Sequence, residues 1–397
     1  MRKLFSILFF ALIASNIYAQ KWPEKGIKLF SKDSLYSMNL RFRMQNRAIY
    51  STIDEKQLSA QEIEARVRRL RLSMEGFIYN PNLTYKIQLS FSRGDMDWNV
   101  QELPVVNNSP NVVRDAVLNY KINEHFSVGF GQTKLPGNRQ RVISSGQQQF
   151  VERSIVNATF NIDRDFGAFL NYKDNIGDFN YIIKTAVSTG EGRNSNISPG
   201  GGLAYTGRLE LLPLGQFTNG GDYFEGDLER ETSPKISFAA SYSYNDGALR
   251  TAGQLGNDLF ESRNIQFIES DFLLKYSGIA LSAEFLKRVS DNPVTVDLNN
   301  QKRIIYEGEG LNTQLSYIFK NNVELAARYA YVMPSGRVMY NHRKTENYTI
   351  GVTKYLAHHK LKIQGNVMYQ NMYKYIYMQP TQINSNWHFM FQVELGI

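Results

Sequence analysis

Apolar side chains recur at every second position along most of this chain, and that repeat restricts the fold more than any other feature. Leu40, Phe42, Met44, Ala48 and Tyr50 share one parity, while Arg41, Arg43, Gln45 and Arg47 share the other. Leu70, Leu72 and Met74 alternate in the same way with Arg69, Arg71, Ser73 and Glu75, and Leu83, Tyr85, Ile87, Leu89 and Phe91 alternate with Thr84, Lys86, Gln88, Ser90 and Ser92. A period of two is the signature of strands with one apolar and one polar face.

The first nineteen residues are different. Arg2 and Lys3 precede the apolar run LFSILFFALIA, and small residues lead to Ala19, so residues 1–19 read as a secretory signal peptide with cleavage near Gln20. An exported chain with no cysteine cannot rest on a disulfide scaffold. No later stretch holds the roughly 18 consecutive apolar residues of a spanning helix. With 24 Tyr, 24 Phe and 29 Gly, the chain has the composition of a transmembrane β-barrel, apolar at alternate positions and polar on average. A soluble antiparallel barrel would show the same alternation, so turn lengths are needed to separate the two.

Strands are predicted near 40–50, 69–75, 83–91, 112–122, 126–134, 164–173, 179–189, 202–212, 235–245, 263–276, 279–288, 306–319, 323–333, 345–356, 360–373 and 384–397, sixteen in all. The connections at 80–82, 123–125, 174–177, 277–278, 320–322 and 358–359 are short and the intervening ones long, as in outer-membrane barrels with periplasmic turns and extracellular loops. The connection after Leu212 breaks this rule by its length. The expected division is a signal peptide at 1–19, a periplasmic segment at 20–35 and the barrel at 36–397. Parity places Tyr205, Leu209, Leu211, Trp387, Phe389 and Phe391 toward lipid and Thr206, Arg208, Glu210, His388, Gln392 and Glu394 toward the lumen. Tyr120, Tyr172, Tyr276, Tyr355 and Tyr373 suit interfacial girdles, because a ring with a polar tip sits well at headgroup level.

Inward parity also collects charge. The basic set is Arg41, Arg43, Arg47, Arg69, Arg71, Lys86, Lys121, Lys184, Arg208, Lys275, Arg328 and Lys362, against Glu75, Asp115, Glu210, Asp271, Glu284, Glu324 and Glu394. Rings of Arg and Lys lower the barrier for anions. Arg41, Arg43, Arg69, Arg71, Lys86 and Arg208 are therefore the candidate pore-lining groups. The longest polar interruption, from Leu135 to Asp163, is expected to fold into the lumen, with Phe150, Ile155, Val156 and Phe160 as anchors. Lys134, Arg139, Arg141 and Arg153 are its constriction candidates.

Catalytic and metal patterns find no support. His125, His342, His358, His359 and His388 are scattered without metal-ligand spacing, and neither a phosphate loop nor a nucleophile elbow occurs. The net charge of +8 alternates along strands rather than clustering on a helix, which argues against nucleic-acid binding. No enzyme activity, cofactor or metal is expected.

The interrupting stretch carries Gly131, Gln132, Lys134 and Pro136, then Ser144 and Ser145, then Phe150, Glu152 and Arg153, then Arg164, Asp165 and Gly167. This order, with RRLRL at 68–72 and NYKINEHFSVGFGQ at 119–132, resembles the phosphate-selective porin O/P family. The resemblance implies a sixteen-stranded porin of the bacterial outer membrane, a homotrimer with an inward third loop, in contact with outer-membrane lipid. It implies passive passage of small hydrophilic solutes, anions such as phosphate among them. The alternative is a closed barrel acting as a structural element, adhesin or hydrolase.

Overall fold

In hydrocarbon a strand must find all its backbone hydrogen bonds inside the protein, so alternating strands that cross a bilayer have to pair until the sheet closes. The computed structural model describes residues 26–92, 112–195 and 202–397 and shows that closure. A short strand β1 (Ile27–Phe30) precedes β2 (Ser37–Thr52), β3 (Ala60–Ile78), β4 (Asn80–Ser90), β5 (Val113–Lys121) and β6 (Phe126–Lys134). After the inward loop come β7 (Arg164–Ile176), β8 (Phe179–Ser188), β9 (Ala204–Leu212), β10 (Lys235–Arg250), β11 (Asp258–Tyr276) and β12 (Ile279–Ser290). A small hairpin, β13 (Val294–Val296) with β14 (Lys302–Ile304), leads to β15 (Gly308–Ile318), β16 (Val323–Pro334), β17 (Lys344–Ala357), β18 (Leu361–Ile376) and β19 (Gln379–Gly396). Antiparallel pairing of β19 with β2, from His388 opposite Ser51 to Gly396 opposite Arg43, completes a sixteen-strand barrel of β2–β12 and β15–β19. All sixteen predicted strands are present.

Its two faces are inverted relative to a soluble barrel. Outward side chains such as Leu209, Phe130 and Ile350 are exposed, while inward Arg208, Glu210, Gln392 and Glu394 are almost fully buried. An apolar band running round the whole outer wall far exceeds the patches that water-soluble monomers tolerate, so the outer surface faces lipid. No helix among the described residues is long and apolar enough to cross a membrane, and the crossing is made by strands.

Departures from the predicted pattern have local causes. β10 and β11 run well past the predicted ends, and β18 and β19 meet at a two-residue turn of Tyr377 and Met378 instead of a long loop. The tip of the β18–β19 hairpin, Tyr375-Ile376-Tyr377-Met378, is a run of apolar and aromatic residues without alternation, so no period of two marks it. Tyr355 points inward, fully buried with its hydroxyl donating to Glu324 at 2.6 Å, and does not join the aromatic girdle. Within the segment expected as periplasmic, β1 pairs with Ser37–Leu40 of β2. Because β3 takes the other edge of β2 there, β1 extends the edge that β19 leaves at Arg43. The signal-peptide residues lie outside the described residues.

A bulge in β3 changes the face assignment at one functionally important place. Gln45 pairs with Arg69 and Asn46 with Val67, so Arg68 is the extra residue and both Arg68 and Arg69 point inward. Single cysteines at positions 68 and 69 are expected to react with a water-soluble thiol reagent, while one at Val67 is shielded by lipid. Labelling at 67 with protection at 68 would show that the ladder runs through without a bulge.

Candidate functional site

Residues 135–163 leave β6, cross the lumen and return to β7. Their ends are held together by the Leu135 amide donating to the Asp163 carbonyl at 3.0 Å. A short helix α1 (Arg139–Val142), a 3-10 turn at Ser145–Gln147 and a second short helix α2 (Ile155–Phe160) order the segment. Ser154 caps α2, accepting from the Asn157 amide. Val156 and Phe160 pack on Leu286, Ala330 and Val332, apolar residues at inward positions of β12 and β16. Phe150 is fully buried under the Arg328 guanidinium, whose centre lies 4.1 Å above the ring. It sits on Gly351 of β17, where a Cβ would come within 2.9 Å of the ring, so the missing side chain forms the seat. Each large apolar side chain buried this way contributes about 1.5–3 kcal/mol, enough to hold a polar loop inside an aqueous lumen.

The loop faces a wall built from two adjacent strands. Arg43 donates to Ser144 Oγ at 3.1 Å and Ser145 Oγ at 2.8 Å, and Arg71 donates to Ser145 Oγ at 3.0 Å. Gln45 donates to the Ser145 carbonyl, and Arg69 bonds Gln45 and the Glu152 carboxylate. Glu152 also accepts from Arg47 and Arg68. Burial alone would raise the pKa of this loop carboxyl, but Arg69, Arg68 and Arg47 together hold it well below the usual carboxylate range. Arg41 pairs with Glu75, which stands opposite Lys86 in the β3–β4 register, and Arg66 pairs with Glu64. The side chains of Arg41 and Arg66 are 41% and 42% exposed and present the open part of the wall. Lys134 donates to the Val142 carbonyl at 2.7 Å, Arg153 to the Gln140 carbonyl at 2.7 Å, and Arg141 pairs with Asp163.

The sequence profile of the phosphate-selective porin O and P family matches residues 38–386. The chain belongs to that family. It is a porin of the bacterial outer membrane. Among solved structures, Vibrio cholerae OmpT aligns with TM-score 0.55 at 10% identity, covering 93% of this chain and 100% of that one. The Acinetobacter baumannii outer membrane channel DcaP aligns with TM-score 0.53 at 14% identity over 94% and 100%. Pseudomonas putida OprB gives 0.52 at 9% identity over 92% and 95%. Identities this low carry the fold alone. No curated protein sequence matches the chain.

Other cations of the porin have a different task. Arg208, expected to line the pore, is fully buried between Glu210 at 2.8 Å and Asp271 at 2.7 Å and donates to the Gly137 carbonyl. Arg139, expected at the narrowest point, is buried against the opposite wall, 2.9 Å from Asp271, and donates to the Asp222 carbonyl. Lys275 donates to the carbonyls of Gly221 and Phe224, Lys362 to those of Gly146 and Gln148, Arg328 to that of Glu152, and Arg288 to that of Thr159. These wall cations clamp the backbones of inward segments. A count of inward charges cannot separate them from groups that face the path, because sign and parity are the same. The predicted set thus divides into Arg41, Arg43, Arg69, Arg71, Lys86, Lys134, Arg141 and Arg153 on the β2–β6 side and Arg139 with Arg208 on the far side. Sequence reasoning noted Arg68 and the partly buried Glu152 only as residues carrying the family resemblance, without a place in the site, and missed Arg66 and Glu225. The run Val67-Arg68-Arg69, which breaks the alternation, was the available signal for the bulge.

Proposed function

We propose that this porin passes small hydrophilic solutes by passive diffusion with a preference for anions, small phosphate-bearing solutes included, and without catalysis, cofactor or nucleic-acid partner. The observation that carries the reading is an uneven distribution of charge around the lumen. Arg41, Arg43, Arg47, Arg66, Arg68, Arg69 and Arg71 lie on two neighbouring strands and outnumber Glu64 and Glu75 there, whereas on β9, β11, β12 and β16 the acids Glu210, Glu269, Asp271, Glu284 and Glu324 are interleaved with Arg208, Lys275, Arg288 and Arg328. Guanidinium groups suit this role because they stay charged at any working pH and match carboxylate and phosphate oxygens in pairs. The Ser144 and Ser145 hydroxyls add neutral hydrogen-bonding groups beside Arg43 and Arg71. We further propose a homotrimer, the assembly that the family resemblance implies and the one named for an in-vitro folded form of Vibrio cholerae OmpT.

In a potassium chloride gradient the reversal potential is expected to carry the sign of chloride preference, and to shrink as salt screens the wall. Arg41→Glu with Arg43→Glu exchanges four units of charge on that wall and is expected to abolish or invert the preference. Wild-type selectivity in the double variant would remove these side chains from the path. A second reading, a barrel closed at rest, is favoured by the complete burial of the inward wall residues Gln45, Asn312, Lys362 and Gln392. Conductance of the purified protein in a planar bilayer separates the two, since a closed barrel shows no steady channel.

A further inference from the structure

We propose that residues 213–234 form a resident plug that closes the β9–β16 half of the lumen, where acids and bases are interleaved, from the periplasmic side and confines passage to the arginine-lined half. The other connections on that rim are brief, as between β3 and β4, β7 and β8 or β11 and β12. This one turns back into the barrel. Its foot is apolar: Phe217 is buried with Leu212 and Leu273 and against Ile182, so water never reaches the inward-facing Leu273. Asn219 and Gly220 take left-handed backbone conformations, φ 52° and 69°, which reverse the chain and aim the carbonyls of Gly221 and Phe224 at Lys275 Nζ, 2.6 and 2.9 Å away. Tyr223 donates to Glu210, and the Phe224 ring stacks on His359 at 5.8 Å.

The returning limb is equally fastened. Gly226, at φ 71°, passes so close to Glu324 that any Cβ would collide with the carboxylate. Asp227 accepts from the Gly278 amide at 2.8 Å, and Glu231 accepts from the Thr218 amide at 2.7 Å and hydroxyl at 2.9 Å. Arg230 reaches the Phe319 carbonyl and Asn322. The segment is thereby tied to β9, β11 and three of the turns on its rim. Such a density of specific bonds is not expected of a slack connection.

Its tip is bonded to the underside of the inward loop. The buried Glu225 carboxylate accepts from the Gln149 amide at 2.9 Å and from Gln140 Nε2 at 3.1 Å, while its own amide donates to the Gln147 carbonyl at 2.9 Å. Four acids of the far wall are covered from two directions: the plug covers Glu210 through Tyr223 and Glu324 through Gly226, and the inward loop covers Asp271 through Arg139 and Glu284 through Asn138 and Gln140, while Arg208 pairs with Asp271 within the wall. Removing those carboxylates from contact with solute leaves the β2–β3 arginines as the dominant fixed charge along the remaining route. The selectivity part of this proposal rests on the anion reading above; the occlusion part does not.

Replacing residues 214–233 by Asn-Gly tests it, with Phe217→Ala plus Glu225→Ala as a milder variant that keeps the full chain. Heat-modifiable electrophoretic mobility establishes that each variant forms a barrel, and single-channel conductance and reversal potential are then read beside wild type. Conductance is expected to rise about two-fold or more, and the chloride-over-potassium permeability ratio to fall by a similar factor, as a half with mixed charge opens beside the arginine wall. Wild-type conductance in a folded variant overturns the plug, and if the replacement does not fold, the double variant decides. Raised conductance at an unchanged permeability ratio overturns its part in selectivity. A potassium-preferring wild type would defeat the anion reading while the conductance comparison still judged occlusion.

Discussion

Deleting residues 140–158, with the cut ends joined by a glycine linker, is expected to leave a folded barrel whose single-channel conductance is several times that of wild type. The barrel does not need the loop to close, since the β19–β2 seam and every neighbouring strand pair are hydrogen-bonded independently of it. What disappears is the material that spans the lumen: the Phe150 seat on β17, the α2 contact with β12 and β16, and the serine pair opposite Arg43 and Arg71. A sixteen-strand barrel emptied in this way leaves a wide aqueous channel. Anion preference should fall at the same time. Once the route is wider than the Debye length of about 10 Å at 0.1 M salt, the arginine wall no longer acts on every passing ion. Released from the loop, Arg47, Arg69, Arg328 and Lys362 find water, so no buried charge is stranded. Planar-bilayer recording settles the point: unchanged conductance and selectivity in the folded deletion would mean that the loop is not the constriction.

Glu152→Ala should have the largest effect of any single substitution. Arg47, Arg68 and Arg69 converge on this carboxylate, and Arg328 holds its backbone carbonyl. Removing the carboxylate of this partly buried cluster is destabilising, because the largely buried Arg47 and Arg69 lose their shared counter-charge. The expected result is a loop detached from the β2–β3 wall, seen as noisy, flickering current, together with a stronger chloride preference, since one negative charge leaves the neighbourhood of Arg47, Arg68 and Arg69 while Arg47 keeps Glu64 and Arg69 keeps Gln45. Glu152→Gln, which keeps the acceptor and loses the charge, should lie between the two. The sign with pH follows from the depressed carboxyl. Its contribution is fully present above the ordinary glutamate range near pH 4.3 and is lost only as pH falls through the lower folded value. Wild type at pH 5 should therefore stay quiet, while the alanine variant flickers at pH 5 and pH 7 alike. A quiet alanine variant would show that the cluster does not hold the loop.

Tracing individual residues shows where reading the chain succeeds. Leu209 and Arg208 are adjacent, and their opposite faces follow from alternation alone, because a strand presents successive side chains to opposite sides. The sixteen strands and the closed barrel were legible for the same reason, and the inward fold of residues 135–163 for another, the length and composition of that interruption. Phe150, Val156 and Phe160 stand out as apolar residues in a polar stretch with nowhere to be buried except against a wall. The hairpin of β18 and β19 was not legible, since its tip, Tyr375-Ile376-Tyr377-Met378, runs apolar without alternation. Nor was the bulge at Arg68, where one extra residue turns two consecutive arginines inward.

Apart from Arg68 at the bulge and Tyr355, the sequence by itself determined which of these side chains meet lipid and which meet the lumen, because that choice depends on a residue and its immediate neighbours in an extended strand. Only the tertiary structure decided what each inward charge does. Arg208 is neutralised by Asp271 from β11, and Lys275 is occupied by carbonyls of a connection that begins after β9. Such partners are far apart in the chain and come together only when the sheet closes into a ring. The same closure decides the fate of residues 213–234: a long polar connection becomes a plug only when an enclosed wall offers Leu273, Lys275 and Glu324 on its inner side.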